Sequence, residues 1–359
     1  MAEVLYFILF AAGLAMVVKG SDWFVDSAVW AAEVFRIPTL IIGATIVSIC
    51  TTLPETFVSA AAALHGEPSM AAGNALGSIG VNTGFILAIL LISARPFVEN
   101  RREFLKNGFF LALLLLLLWT AGFFYGEISK PVGAGLIVLF FLYIVNNVLS
   151  ARKLMDLDIR YDIVDEEDMP ERADTNISVP EGIVYDEEEN DFDVSAQMIA
   201  RKIVFFFFGV FLVIFGSNLL VENGILIAEL LNVPHFFIAV VFTSVGTSLP
   251  ELITVIASIR KGASGLGIGN IIGADILNIL QVVGISAVLL PMPVVNEKSV
   301  LSFQLPLLFI MVLSLICFGI FSKGRMSKWS GVWLLILYLI FLSANIFRGA
   351  FPILGPLVF

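Results

Sequence analysis

The sequence predicts an all-α polytopic membrane protein of ten transmembrane helices in two inverted five-helix repeats, and three observations predict it. Of 359 residues, 59% are hydrophobic and only 14% charged, with a mean hydropathy of +0.99, against about 25% charged in soluble globular domains. Apolar stretches near the roughly 20 residues that a spanning helix needs recur along the whole chain. The second half also repeats the first at a fixed offset.

The predicted spans fall at about 4–33, 39–63, 70–94, 104–124, 131–150, 198–230, 236–259, 268–291, 300–322 and 329–347. The first follows an acidic start at Glu3 and continues as a long helix, so it does not read as a cleavable leader. The first and sixth exceed what a bilayer requires and are expected to tilt. The second and seventh contain Gly and Pro, breaks that a membrane tolerates where they line a cavity. The chain therefore divides into a first repeat at 1–150, a linker at 151–197 and a second repeat at 198–359.

The linker carries 16 Asp/Glu and 4 Lys/Arg, which exceeds the whole chain's net charge of −10 and leaves the remainder slightly positive. The run Asp186–Asp193 cannot bury enough apolar surface to offset ordering entropy, so it reads as a solvated linker. A regulatory cation-binding loop is the other reading, but the spacing of a calcium loop is missing. With ten spans, 16 Lys/Arg fall on the linker's face of the membrane and 3 on the opposite face, with Lys19 inside the first helix. The positive-inside rule makes the linker cytoplasmic and both termini external, in a multi-pass plasma or inner membrane protein.

The offset is 196 residues. It lays Gly20–Asn82 on Gly216–Asn278 without a gap, with 18 identities in 63 positions. Thr51–Glu55 (TTLPE) falls on Thr247–Glu251 (TSLPE), and Gly73-Asn74-x-x-Gly77 falls on Gly269-Asn270-x-x-Gly273. The offset crosses an odd number of spans, so the two copies point opposite ways. Inverted repeats of this kind are typical of alternating-access transporters, with a substrate site near mid-membrane.

Glu55 and Glu251 lie about halfway along otherwise apolar spans, where an ionisable group costs roughly 2.5–3.5 kcal/mol on insertion scales. Neither span holds a Lys or Arg, which points to a bound cation as the compensating partner. Pro54 and Pro250 lack the N–H that would close the helix on the carbonyls of Cys50 and Gly246. Carbonyls freed there, with the hydroxyls of Thr51, Thr52, Thr247 and Ser248, make an all-oxygen environment that suits hard cations. Ser78 and Asn82 share one face of the third span, and Ala274 and Asn278 take the equivalent places in the eighth. The paired small residues Gly73/Gly77 and Gly269/Gly273 let helix backbones approach closely.

At these residues the chain resembles the cation/calcium exchanger superfamily, in particular its sodium/calcium exchanger branch. That branch carries G-[ST]-S-x-P-E followed by G-N-x-x-G-[SA]-[ND]-x-x-[ND], which read here as Cys50–Glu55 with Gly73–Asn82, and Gly246–Glu251 with Gly269–Asn278. The resemblance implies that Glu55 and Glu251 bind calcium and sodium in turn. It adds Thr51, Thr52, Ser78, Asn82, Thr247, Ser248 and Asn278 as ligands, with the backbone carbonyls of Ser48 and Ser244 completing the sodium sites. The implied function is a secondary active antiporter exchanging calcium for sodium, with no cofactor and no nucleic-acid partner.

Three departures from the family pattern are visible. Cys50 replaces a usual glycine. Ala274 withholds a hydroxyl that Ser78 offers in the first repeat. Asn278 replaces an aspartate that the resemblance links with potassium dependence. Asp275, at the first [ND] of the motif, is a further carboxylate that either lines the site or pairs elsewhere.

Other readings stand beside this one. A proton/calcium antiporter is the nearest, although the glutamate of that branch's G-N-A-x-E element is replaced by Gly77 and Gly273. A cation channel would be built around an oligomer axis. An intramembrane protease would need paired aspartates, so an enzyme is not expected. Lys19 takes Asp22 or Asp26 as counter-charge, or those aspartates form an acidic access path. His65 and His235 read as interfacial. Cys50 and Cys317 both sit in apolar segments, and neither a disulfide nor a C-x-x-C metal site is expected.

Overall fold

A computed structural model of the chain describes residues 2–35, 37, 39–66, 68–98, 100–167, 195–230, 243–293, 300–322 and 325–350. The acidic run at 186–193, His235, the start of the predicted seventh span at 236–242 and the C-terminal residues from 351 lie outside the described residues. What is described is mostly helical.

Helix α1 spans Ala2–Val34 and is followed by a broken segment: α2 (Thr39–Ile42), a π-helical turn (Gly43–Val47), α3 (Ser48–Thr51) and α4 (Leu53–Leu64). Next come α5 (Pro68–Gly80), a second π turn (Val81–Ile86), α6 (Leu87–Ala94), α7 (Arg101–Tyr125), the short strand β1 (Glu127–Ile128) and α8 (Lys130–Glu167). Helix α8 runs on past the predicted boundary at 150, so the first part of the linker is helical. In the second half α9 covers Ala196–Leu230, α10 Thr243–Thr247, α11 Leu249–Arg260 and α12 Ser264–Leu277. A π turn (Asn278–Val283), α13 (Gly284–Leu289), β2 (Met292–Pro293), a last π turn (Val300–Gln304), α14 (Leu305–Phe321) and α15 (Lys328–Ala350) complete the described chain.

Among the described residues, seven helices are long and apolar enough to cross a membrane, and eight if the bent pair Thr39–Thr51 and Leu53–Leu64 counts as one span. Lys328–Ala344 is a shorter apolar helix. The most deeply buried of the candidates are Met70–Ala94 and Ser264–Leu289, the segments after each L-P-E motif. The bilayer-facing helices expose Phe, Leu and Val, as on Phe109, Leu113, Phe207 and Phe211. Such exposure suits a lipid surround, where apolar side chains lose nothing by facing outward.

Helices α1 and α9 pack along their length, and glycines set how closely. A Cβ on Gly20 would stand 2.7 Å from the carbonyl oxygen of Gly209, and one on Gly209 would stand 2.7 Å from the carbonyl oxygen of Gly20. A Cβ on Gly216 would stand 2.8 Å from the carbonyl oxygen of Gly13. Under the 196-residue offset Gly13 corresponds to Gly209 and Gly20 to Gly216, so each half contributes the same two glycines to the seam.

Asp26, near the end of α1, accepts from Lys202 of α9 at 2.6 Å and from Lys261 beyond α11 at 3.0 Å. Of the two counter-charges expected for Lys19, Asp22 or Asp26, this takes Asp26 away. The ammonium of Lys19 lies instead over the ring of Trp23, 5.3 Å from its centroid. Lysine and its aromatic neighbour are one helical turn apart, so this cation–π contact needs no reach across the membrane.

Candidate functional site

The site grows out of two proline breaks. Pro54 and Pro250 each stand in the first turn of a helix, α4 and α11, where a missing N–H leaves no intrahelical bond unmade. The residue that caps each break leaves the regular helix in the same way: Thr52 at φ −83°, ψ −1° and Ser248 at φ −84°, ψ 6°. In the first half the axis turns by 43° there. Both new helices then present a glutamate, Glu55 or Glu251, in their first turn. Free N–H groups and the positive end of the helix dipole favour a carboxylate at that position.

Glu55 and Glu251 are both fully buried and lie near enough to repel each other when both are ionised. The hydroxyl of Thr247 lies toward Glu55, and that of Thr51 toward Glu251. None of the four carboxylate oxygens has a hydrogen bond of good geometry within the protein.

The two halves are tied across this point by reciprocal bonds. Thr51 donates its hydroxyl to the side-chain oxygen of Asn270 at 3.2 Å, and Thr247 donates to that of Asn74 at 3.2 Å. These two pairs are the same pair under the 196-residue offset. Asn74 also donates to the hydroxyl of Ser59 at 2.9 Å. Sequence reasoning had Asn74 and Asn270 only as landmarks of a repeated motif. Their identity in both copies was the signal that they have a shared task.

The opposing wall comes from α5 and α12, which pass directly into π turns at Val81 and Asn278. A π turn widens the helix by one residue and re-aims the side chains that follow, a local irregularity frequent at functional sites. Asn82 and Asn278 sit at these matched turns, and all the side-chain polar atoms of both are buried without a partner, as is the hydroxyl of Ser78. Ala274 presents only a methyl, fully buried. The hydroxyls of Thr52 and Ser248 are likewise buried and unbonded. Buried polar groups are normally satisfied. Beside the two carboxylates, polar side-chain atoms of Thr52, Ser78, Asn82, Ser248 and Asn278 are thus all buried and unbonded within the protein.

Helix α12 lies against α2 and the π turn after it with no room for larger side chains. A Cβ on Gly269 would stand 2.1 Å from the carbonyl oxygen of Leu40, and one on Gly273 would stand 2.7 Å from the Cα of Ala44. Ser48 is buried; its hydroxyl donates to the carbonyl of Thr45 at 3.0 Å, and its own carbonyl accepts from the N–H of Thr52 at 2.9 Å. The hydroxyl of Thr51 also comes within 3.4 Å of that carbonyl. The backbone of Ser244 falls within α10.

Three further buried polar residues carry no role in the sequence reading. Gln281 donates to the hydroxyl of Thr56 at 3.0 Å, which donates in turn to the carbonyl of Thr52 at 2.9 Å. Thr83 donates to Oδ2 of Asp275, a carboxylate as deeply buried as the two glutamates. Among the described residues, no three carboxylate, imidazole or thiolate groups converge on one point. His65, by contrast, is exposed, with its ring nitrogen 2.8 Å from the carbonyl of Ala61, as expected of an interfacial residue.

Relatives match this chain over nearly its full length. The sodium/calcium exchanger protein family matches residues 5–149 and 201–347. The inner membrane protein YrbG of Escherichia coli is 31% identical over 348 residues, covering 92% of this chain and 96% of its own. The sodium/calcium exchanger MaX1 of Methanosarcina acetivorans is 27% identical over 365 residues, covering 94% and 97%. A solved structure of the sodium-calcium exchanger NCX_Mj, soaked with sodium and strontium, matches with a TM-score of 0.75 at 25% identity, covering 95% of this chain and 99% of that one. On the extent of both matched segments and of these relatives, the chain belongs to the sodium/calcium exchanger protein family, a family of membrane transporters.

Proposed function

We propose that this protein exchanges calcium for sodium across a cell membrane, by alternating access around one mid-membrane site. The observation that carries the reading is the pair of fully buried glutamates, Glu55 and Glu251, at equivalent positions of two breaks, with no Lys or Arg in either span. Two carboxylates balance one calcium ion, and Thr51, Thr52, Ser78, Asn82, Thr247, Ser248 and Asn278 complete an oxygen shell. The carbonyls of Ser48 and Ser244 extend it. Sodium ions use overlapping members of the same set, so the two ions cannot occupy the site together. Competition of this kind, with a barrier to switching the empty site, couples their movements.

The same proposal assigns ten spans in two inverted halves, 1–150 and 198–359, joined by a cytoplasmic linker, with both termini outside. Loop contacts support it. β1 pairs antiparallel with β2, Glu127 opposite Pro293 and Ile128 opposite Met292, so the loops after the fourth and eighth spans meet. Phe97 bridges to Arg325, and the N–H of Met326 donates to the carbonyl of Pro96 at 3.1 Å, so the loops after the third and ninth meet as well. Ten spans put each of these loop pairs on one side, and the two pairs on opposite sides.

Calcium uptake into proteoliposomes under imposed gradients tests the function. Uptake driven by an outward sodium gradient, and abolished when sodium is replaced by a large organic cation, is expected. Uptake driven only by a proton gradient would replace sodium with protons as the counter-ion. Calcium flux independent of any counter-ion gradient would make the protein a channel.

A further inference from the structure

The second repeat holds a buried carboxylate that the first does not. Asp275 corresponds to Ile79 under the 196-residue offset, and Thr83, which bonds it from the other half, corresponds to Ile279. The Asp275–Thr83 pair therefore has no counterpart on the opposite side of the site. Asp275 is fully buried. Thr83 donates to its Oδ2, while Oδ1 has no partner. The side chain of Asn82 approaches the same carboxylate without a hydrogen bond of good geometry, and Glu251 lies within electrostatic range. Asn278 follows three residues on, on the same helix face, with its amide also unbonded. Neither 68–94 nor 264–289 contains a Lys or Arg, so no side chain of these two segments offsets the charge.

A residue of this kind in a purely structural role would be expected to have both oxygens engaged, because an unpaired buried polar atom is costly. Here one oxygen is held by a hydroxyl from the other repeat and the second is buried without a partner. The three carboxylates do not share one point, so the third serves a position beside the one between Glu55 and Glu251.

We propose that Asp275 is a cation ligand, which with Asn82, Asn278 and the near side of Glu251 forms a sodium subsite present in the second repeat alone. The carboxylate gives the second repeat an oxygen at the position where the first has the hydrocarbon side chain of Ile79. Thr83 is a positioning residue that turns Oδ1 inward by holding Oδ2. The proposal rests on the exchanger reading, and its test is chosen to separate the two.

The test is displacement of radioactive calcium by sodium chloride from the purified full-length protein in detergent, at constant ionic strength. Asp275→Asn is expected to raise the sodium concentration for half-displacement on the order of tenfold or more and to lower the steepness of the curve. Calcium affinity in the absence of sodium should change by less than about threefold, since both glutamates remain. Thr83→Val keeps the carboxylate and should shift the sodium curve in the same direction by a smaller factor. If Asp275→Asn does not yield monodisperse protein, Thr83→Val decides. A parent-like sodium curve in a folded variant overturns the subsite, even if its thermal stability falls, because a structural bond would act on stability alone. If sodium does not displace calcium from the parent, or calcium binding survives in both Glu55→Gln and Glu251→Gln, the exchanger reading itself falls, and the subsite with it.

Discussion

Exchanging a carboxylate for an amide at position 55 or 251 removes one charge and almost no volume. Each of Glu55→Gln and Glu251→Gln is therefore expected to leave a monodisperse protein in detergent while lowering calcium transport by roughly 30-fold or more, the cost of truncating one partner of a desolvated charge pair, about 2–5 kcal/mol. Proteoliposome uptake of radioactive calcium checks this, and near-parent flux in both variants would remove the proposed site. A finer asymmetry lies at Ser78 and Ala274. Ser78→Ala should weaken sodium competition against calcium and Ala274→Ser should strengthen it, with calcium binding less affected, read as the sodium concentration for half-inhibition. The glutamates were legible in the sequence because an ionisable residue in mid-span is expensive and these two recur at one offset. The threonine–asparagine bonds were not, since Thr51 and Asn270 are 219 residues apart and no local pattern shows which side chains meet. The partners of Asp26 were hidden for the same reason: Lys202 and Lys261 lie far along the chain, while Lys19 was near at hand.

Helix interruptions were partly legible. Pro54 and Pro250 announced the breaks at Thr52 and Ser248, but nothing in the sequence distinguished the π turns at 81–86 and 278–283 from the α-helix around them. Stretches such as VNTGFI and NILQVV carry no pattern that separates a π turn from an α-helix, and the choice is made by packing. Close packing was legible only as a motif, G-x-x-x-G, whereas the structure separates glycines that must be glycine from those that need not. Gly269→Leu is expected to lower the thermal unfolding midpoint sharply or prevent folding, because its first added carbon would stand 2.1 Å from the carbonyl oxygen of Leu40, a backbone atom that cannot swing away. Overpacking typically costs about 1–3 kcal/mol where neighbours can yield, and here they cannot. Gly135→Ala is the control: a Cβ there meets nothing within 4 Å, and the gain in helix propensity, up to about 1 kcal/mol in water, should leave the midpoint unchanged or higher. Fluorescence-detected thermal unfolding in detergent measures both.

At the scale of the molecule, charge bias and apolar runs predicted ten spans, and the described residues yield seven, or eight with the bent pair. The tenth predicted span lies in α15, Lys328–Ala350, of which Lys328–Ala344 counts as an apolar helix, and the seventh begins outside the described residues. The proposed topology makes its own prediction. Single cysteines placed within 160–190 should react only with membrane-permeable reagent or in inverted vesicles, and a cysteine near Phe359 should react from outside. Reaction of both from one side would leave an even number of spans between them and remove the inverted arrangement. The glycine seam between α1 and α9 has a consequence of another kind. Gly20 meets Gly209 while Gly216 meets Gly13, and Thr51 meets Asn270 while Thr247 meets Asn74: residue i of one half touches j of the other, and j touches i. That reciprocity is the rule of an isologous two-fold dimer. The covalent linker is then expected to be dispensable to assembly. Co-expressed as separate chains cut between residues 175 and 176, the two halves should find each other in the bilayer and co-purify on a tag carried by either one. What the single chain adds is a guarantee of one copy of each half, which frees Asp275, Ala274 and Thr83 to differ from their counterparts.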